Sequence, residues 1–261
     1  MHFQDLILWR LNMENKSIIA GNWKMNKTPD ECKILSEKII DSLRDIEGVQ
    51  VIFSPPFTGL NEFETMSPFY KAAQNCHHEK SGAFTGEISI DMIKNCGASH
   101  VIVGHSERRI IFKEDNSSIN NKILAVTKNG LTPIFCIGET LEDRNNGLAE
   151  KVIHNQIIEG LNGIDSLDKL IVAYEPVWAI GTGIAASNSD VKEIHEFIRN
   201  VLKNIDKKHY TPILYGGSVK PDNSMELFNV PGVDGFLIGG ASLNPESFVS
   251  IAKIMEKNRS S

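Results

Sequence analysis

Apolar residues recur along this chain in two alternating modes. Short, nearly continuous apolar runs fall at residues 18–20, 49–53, 71–74, 100–103, 133–137, 170–174, 212–215 and 235–238. Between most of them lie longer stretches in which apolar residues return every three or four positions. Val191, Ile194, Ile198, Val201, Leu202 and Ile205 have the spacing of one face of a helix. Thr28-Pro29-Asp30-Glu31 reads as the start of another: a capping threonine, a first-turn proline, and a glutamate that turns back to the cap. Ile34, Leu35, Ile39 and Leu43 supply its apolar face.

Runs that are apolar at every position are the kind of strand that helices bury on both faces. The repeat of about 28 residues is the size of one strand-plus-helix step. A closed barrel or an open doubly wound sheet would satisfy this pattern. Eight runs, with no glycine-rich dinucleotide fingerprint after the first, favour the barrel. The predicted fold is α/β, a (β/α)8 barrel in a single domain over residues 13–261, since no linker or shift in composition divides the chain. Residues 1–12, "MHFQDLILWRLN", are read as an extension of unknown role. Their apolar run is far shorter than the ~20 residues that span a bilayer. No basic region precedes it and no small-residue cleavage site follows it. Residues 75–87, "NCHHEKSGAFTGE", lack helical periodicity and are too long for a simple connection, so a functional or interaction loop is expected there.

Composition narrows the function. With 261 residues, 41% hydrophobic and 23% charged, the chain has the make-up of a soluble globular protein with a sizeable core. A formal net charge of −6 argues against nucleic-acid and anionic-membrane partners. It leaves room for a small anion, because a few local donors outweigh a mildly acidic average. Four cysteines without a C-x-x-C pair form neither a metal motif nor a disulfide framework. A reducing, cytoplasmic location is the expectation, with no metal and no cofactor. His77 and His78 are adjacent, and adjacent residues rarely chelate one ion alone, so they read as surface histidines.

In a parallel barrel, chemical groups gather where strands end. The first run ends in Gly21-Asn22-Trp23-Lys24, the fourth in Gly104-His105-Ser106-Glu107-Arg108, and the sixth in Glu175. The seventh ends in Tyr215-Gly216-Gly217-Ser218 and the eighth in Gly239-Gly240-Ala241. Alone, Lys24 is a solvated lysine, His105 a hydrogen-bonded structural histidine, Glu175 a turn cap, and the glycines tight turns. Their arrival together at one rim is what signals a site. Backbone N–H groups of Gly217, Ser218, Gly239 and Gly240 suit a phosphate, which needs no metal there. An anchored phosphate leaves a carboxylate, an imidazole and an ammonium. That set suits moving a proton next to a carbonyl: Glu175 removes it, while Lys24 and His105 face the oxygen that becomes negative. Other phosphate-binding barrels share the glycine loops but give no reason for the Lys24, His105 and Glu175 set, and a barrel kept only for binding gives none for an intact Glu175.

The motifs "GNWKMN" (21–26), "GAFTGE" (82–87), "GHSERR" (104–109), "CIGETLE" (136–142), "YEPVWAIGTG" (174–183), "YGGSV" (215–219) and "DGFLIGGASL" (234–243) occur in that order. The chain from about Ile18 onward resembles the triosephosphate isomerase family. That family is the worked case of a glutamate base beside a neutral imidazole held at a helix N-terminus, with a closing lid. The resemblance implies interconversion of dihydroxyacetone phosphate and D-glyceraldehyde 3-phosphate through an enediol(ate), in glycolysis and gluconeogenesis. It casts Glu175 as base, His105 as electrophile and Lys24 as the cation near the substrate, with Asn22 beside it. Gly181, Ser218, Gly239 and Gly240 fall at its phosphate positions. It implies a homodimer in which the loop carrying Thr85 enters the partner subunit, with Glu107 and Arg108 beside that contact and Cys76 in the same loop. The lid is expected over residues 179–183. Its far end, Ile184-Ala185-Ala186, departs from the family's usual residues, and residues 1–12 have no counterpart in it.

Overall fold

The computed structural model describes residues 17–179 and 186–259. Residues 1–12, Gly181 and most of the expected lid lie outside the described residues. Eight parallel strands follow one another around a closed barrel in chain order: β1 Ser17–Asn22, β2 Val49–Ser54, β3 Phe69–Ala73, β4 His100–Val103, β5 Thr132–Ile137, β6 Ile171–Tyr174, β7 Ile213–Tyr215 and β8 Gly235–Ile238. The ring closes where β8 pairs with β1, Ile18 opposite Gly235 and Gly21 opposite Ile238. Only glycine allows that approach, because a Cβ on Gly235 would stand 1.9 Å from the Ile18 carbonyl oxygen.

The strands are apolar at nearly every position because both of their faces are buried. Ile18, Ala20, Ile52, Ile102, Ile134 and Leu214 point into the barrel. Ile19, Val51, Val101, Phe135, Val172 and Ile213 point outward to the helical layer. The sequence pattern placed the third strand two residues late, and the reason is chemical. Pro68 and Tyr70 flank Phe69 and break the apolar spacing, so the run as read begins at Lys71, yet Phe69 and Tyr70 both belong to β3. Tyr70 packs on the barrel interior with its ring edge to His100, 5.6 Å between centroids. Lys71 is 1% exposed, and its Nζ donates to the Phe63 carbonyl at 2.9 Å.

The helices follow local signals. Pro29–Ser42 starts as its residues predict, with the Thr28 N–H donating to Glu31 Oε2 at 2.8 Å. Asn188–Ile205 is capped by Ser187, which accepts the Asp190 N–H, and buries Val191, Ile194, Ile198, Val201 and Leu202. The stretch before helix Ile90–Asn95 stays non-helical, as expected, and residues 81–87 stand out in solvent. No helix among the described residues is long and apolar enough to cross a membrane.

Candidate active site

The carboxyl ends of the strands hold the polar residues in place by backbone contacts that the fold itself supplies. After β1 the chain turns through Lys24 at φ 52°, a left-handed conformation uncommon for a residue with a Cβ. Three tips hold it there. The Lys24 N–H donates to Asn22 Oδ1 at 3.0 Å, and Gln74 Nε2 donates to the Lys24 carbonyl at 2.8 Å and to the Ser54 carbonyl at 2.9 Å. The turn aims the ammonium at Glu107 Oε1, 2.6 Å away.

After β4, His105 caps the short helix Ser106–Ile110. Its Nδ1 accepts the Glu107 N–H at 3.2 Å, so the ring proton sits on Nε2. Nε2 stands 2.9 Å from Glu175 Oε1, and the Ser106 N–H donates to Glu175 Oε2 at 2.9 Å. Behind them Arg109 ties the tips of β4 and β5 together, donating to the Gly104 and Cys136 carbonyls and to Asn116 Oδ1.

Burial pushes the Glu175 carboxyl up, but the adjacent imidazole, the Ser106 N–H and the Lys24 ammonium outweigh it and hold the acid below the usual carboxylate range. For His105, burial disfavours the charged ring, and the Glu175 carboxylate overcomes that and raises its proton affinity. The N–H aimed at Nδ1 from a helix N-terminus opposes a second proton on the ring.

Glu175 sits at a crowded seam between β5, β6 and β7. A Cβ on Gly138 would lie 1.8 Å from the Glu175 carbonyl oxygen, and one on Gly216 would lie 2.9 Å from Glu175 Cγ. Gln156 fixes Gly138 from the helical layer through two hydrogen bonds, 2.8 and 3.0 Å. Next along the chain, the buried Glu139 carboxylate accepts from Tyr174 Oη at 3.1 Å, Trp178 Nε1 at 2.9 Å and Arg144 Nη1 at 3.3 Å. Arg144 also pairs with Asp190 at the start of helix Asn188–Ile205. Trp178 and Asp190, on either side of residues 180–185 in the sequence, are thereby tied to one carboxylate–guanidinium chain.

These groups open onto a cleft of about 480 Å³. Asn22, Lys24, His105 and Glu175 line one side, and Ser218, Gly239 and Gly240 the other. The cleft brings together Asn22, Lys24, His105 and Glu175 with Gly217, Ser218, Gly239 and Gly240, all singled out in the sequence, while Gly181 lies outside the described residues. Gly239 approaches Lys24 closely, a Cβ there being 3.4 Å from its Cε, so the glycine-lined wall and the ammonium share one space. Among the described residues no group of three or more His, Cys, Asp or Glu is placed to hold a metal ion.

The other expected residues do not line the cleft. Thr85 is exposed in its loop, Glu107 bonds Lys24, and Arg108 Nε donates to Glu114 Oε1 at 2.5 Å. Cys76 is 1% exposed and its thiol is pushed up to about 12 by burial, so in this chain it lies beneath the surface. His77 is stacked between His78 and Phe84. Reading the sequence missed Arg109, Glu139, Arg144 and Gln156. Glu139 carried a signal, an acid one glycine beyond an apolar strand, where Glu175 follows its strand directly.

Fold and cleft together define a (β/α)8 barrel enzyme with its polar groups at the carboxyl ends of the strands, facing a glycine-lined wall. The model of one family, triosephosphate isomerase, matches residues 17–255. The chain belongs to the triosephosphate isomerase family. It is 48% identical to the triosephosphate isomerase of Carboxydothermus hydrogenoformans, covering 91% of this chain and 98% of the relative. The triosephosphate isomerase of Aquifex aeolicus is 46% identical over 90% of this chain and 98% of its own length. The crystal structure of triosephosphate isomerase from Bartonella henselae superposes with a TM-score of 0.84 at 36% identity, covering 92% of this chain and 98% of that one.

Proposed function

We propose that the chain interconverts dihydroxyacetone phosphate and D-glyceraldehyde 3-phosphate, the isomerisation of glycolysis and gluconeogenesis, with Glu175 as the base that carries the proton. The observation that supports this is the placement of one buried carboxylate against two donors, His105 Nε2–H and the Ser106 N–H, across a cleft from a glycine-lined wall.

The substrate phosphate rests on the N–H groups around Ser218, Gly239 and Gly240. Its carbonyl oxygen takes the place of the Glu175 carboxylate at His105 Nε2, near the Lys24 ammonium. Displaced from both donors in a dry site, Glu175 loses what held its proton affinity down and becomes a competent base for a C–H bond. It takes the proton from one carbon while the C–H electrons form the enediolate double bond. The oxygen that gains charge is met by the Nε2–H and the ammonium. The charged oxygen takes the His105 Nε2 proton, and the bared Nε2 takes the proton of the neighbouring hydroxyl, whose oxygen becomes the new carbonyl. Return of the proton from Glu175 to the carbon that bore the first carbonyl completes the exchange, and no electrons leave the substrate. Asn22 supports Lys24 through its backbone.

The catalytic unit is proposed to be a homodimer in the cytoplasm. Thr85 lies on an exposed loop, and Met25, Phe84, Ile111 and Phe112 leave 96%, 44%, 65% and 62% of their surface in solvent on the single chain, the mark of a surface awaiting a partner. Glu107 and Arg108 adjoin this face, and Cys76 underlies it. All four cysteines are free, as suits a reducing compartment. A coupled assay that reduces the dihydroxyacetone phosphate formed from glyceraldehyde 3-phosphate tests the reaction, and folded protein without turnover overturns it. Specific activity that holds on dilution until the mass halves in sedimentation, then falls, is the outcome expected of the dimer.

A further inference from the structure

Lys220 stands on the rim of the catalytic cleft, at the amino end of helix Pro221–Phe228 and two residues from Ser218. Its backbone N–H is used, donating to Asn223 Oδ1 at 2.8 Å. Its side chain is exposed and has no carboxylate partner among the described residues. The other charges around the cleft come close to cancelling. Lys24 is matched by Glu107 at 2.6 Å. Glu175 is offset by Arg109 behind it, a guanidinium bound to two carbonyls and a side-chain amide. The chain as a whole carries a formal −6. An entering phosphate ester with close to two negative charges therefore meets a repulsive molecule and a nearly neutral cleft. The one cation on the described cleft wall that is not matched is Lys220.

We propose that Lys220 is a specificity-determining residue: its unpaired ammonium draws the phosphate end of the substrate to the glycine-lined wall and orients it there. This rests on the proposed triose phosphate reaction and adds to it a residue that acts on encounter and binding rather than on proton transfer. Charges at a cleft mouth raise association rates by concentrating field lines, and their effect falls as salt screens it.

The test compares the wild-type chain with Lys220→Gln and Lys220→Arg, assaying glyceraldehyde 3-phosphate over a series of ionic strengths. Lys220→Gln is expected to lower kcat/KM by about three- to tenfold at low salt, mainly through KM, and to flatten its dependence on ionic strength. Lys220→Arg is expected to restore both. The preference for glyceraldehyde 3-phosphate over unphosphorylated glyceraldehyde should shrink with the lost charge, a change that loosened packing would not give. Wild-type salt dependence and KM in Lys220→Gln would overturn the proposal, as would a loss that Lys220→Arg fails to rescue. Absence of turnover in the wild-type chain would instead overturn the reading of the reaction.

Discussion

At the scale of single residues, two side chains show how local geometry sets chemistry. His105 presents one proton-bearing nitrogen because a backbone N–H occupies the other. Substituting His105→Gln leaves a weaker, less directed donor at that place. Its turnover is expected to drop by roughly 10²–10³, as when one donor to a developing oxyanion is removed, with kcat falling more than KM changes; a purely KM effect would contradict the role. Lys24 shows strain kept for function, since its φ of 52° is uncomfortable for anything with a Cβ. Lys24→Gly should therefore unfold in urea no earlier than the wild type while losing most of its activity. A clear loss of stability would show that the turn is held by the side chain and not by Asn22 and Gln74.

At the scale of elements, the strands and their tips were legible in the sequence, because a strand buried on both faces advertises itself at every position. His100–Val103 and Gly235–Ile238 could be read to the residue. The start of β3 was hidden, since Phe69 stands alone before Tyr70, which looks polar until its ring is seen to pack at the edge of His100. The residues that meet at the cleft were legible for the same reason as the tips, whereas their supports were not. Gln156, Arg109 and Glu139 act on groups 18, 27 and 35 residues away, and no local period records such pairings. Cys76 was placed by its neighbours in the loop, and only the packing shows it facing inward. The seam at Gly138 gives a prediction at this scale. Gly138→Ala brings a methyl group into the backbone of Glu175 and must push β5 and β6 apart. A shift of about 1 Å in a reacting group typically costs on the order of 10²-fold in rate. Near-normal kcat in this variant would mean that the seam yields without moving the carboxylate.

At the scale of the whole molecule, acid should act through two histidines far from the catalysis. Burial lowers His100 and His195 to about 4, against the ordinary value near 6.5. His100 lies between Ser99 Oγ at 2.8 Å and Gln50 Nε2 at 3.2 Å, and His195 Nδ1–H donates to the Gly232 carbonyl at 2.9 Å. Both are neutral in the folded protein and protonate more readily once unfolded. The stability they preserve is complete above about pH 6.5 and is lost as pH falls toward 4, by about 3 kcal/mol for each ring. Urea unfolding at pH 7 and pH 5 should show the decline, and His100→Asn with His195→Gln should flatten it. An unchanged slope in the double variant would assign the acid sensitivity elsewhere.

The pairing that closes the ring joins the first described strand to the last. A ribosome adding 5–20 residues per second takes roughly ten to forty seconds to travel from one to the other. Throughout that interval β1 is a finished strand with an open edge, and the neighbour it awaits has not yet been made. A nascent chain of this protein therefore spends its synthesis as an unclosed sheet, exposed to sticking to other sheets. Its hazard in the cell lies in birth more than in age, and a chaperone that shields strand edges during translation would protect it better than one that rescues the finished barrel.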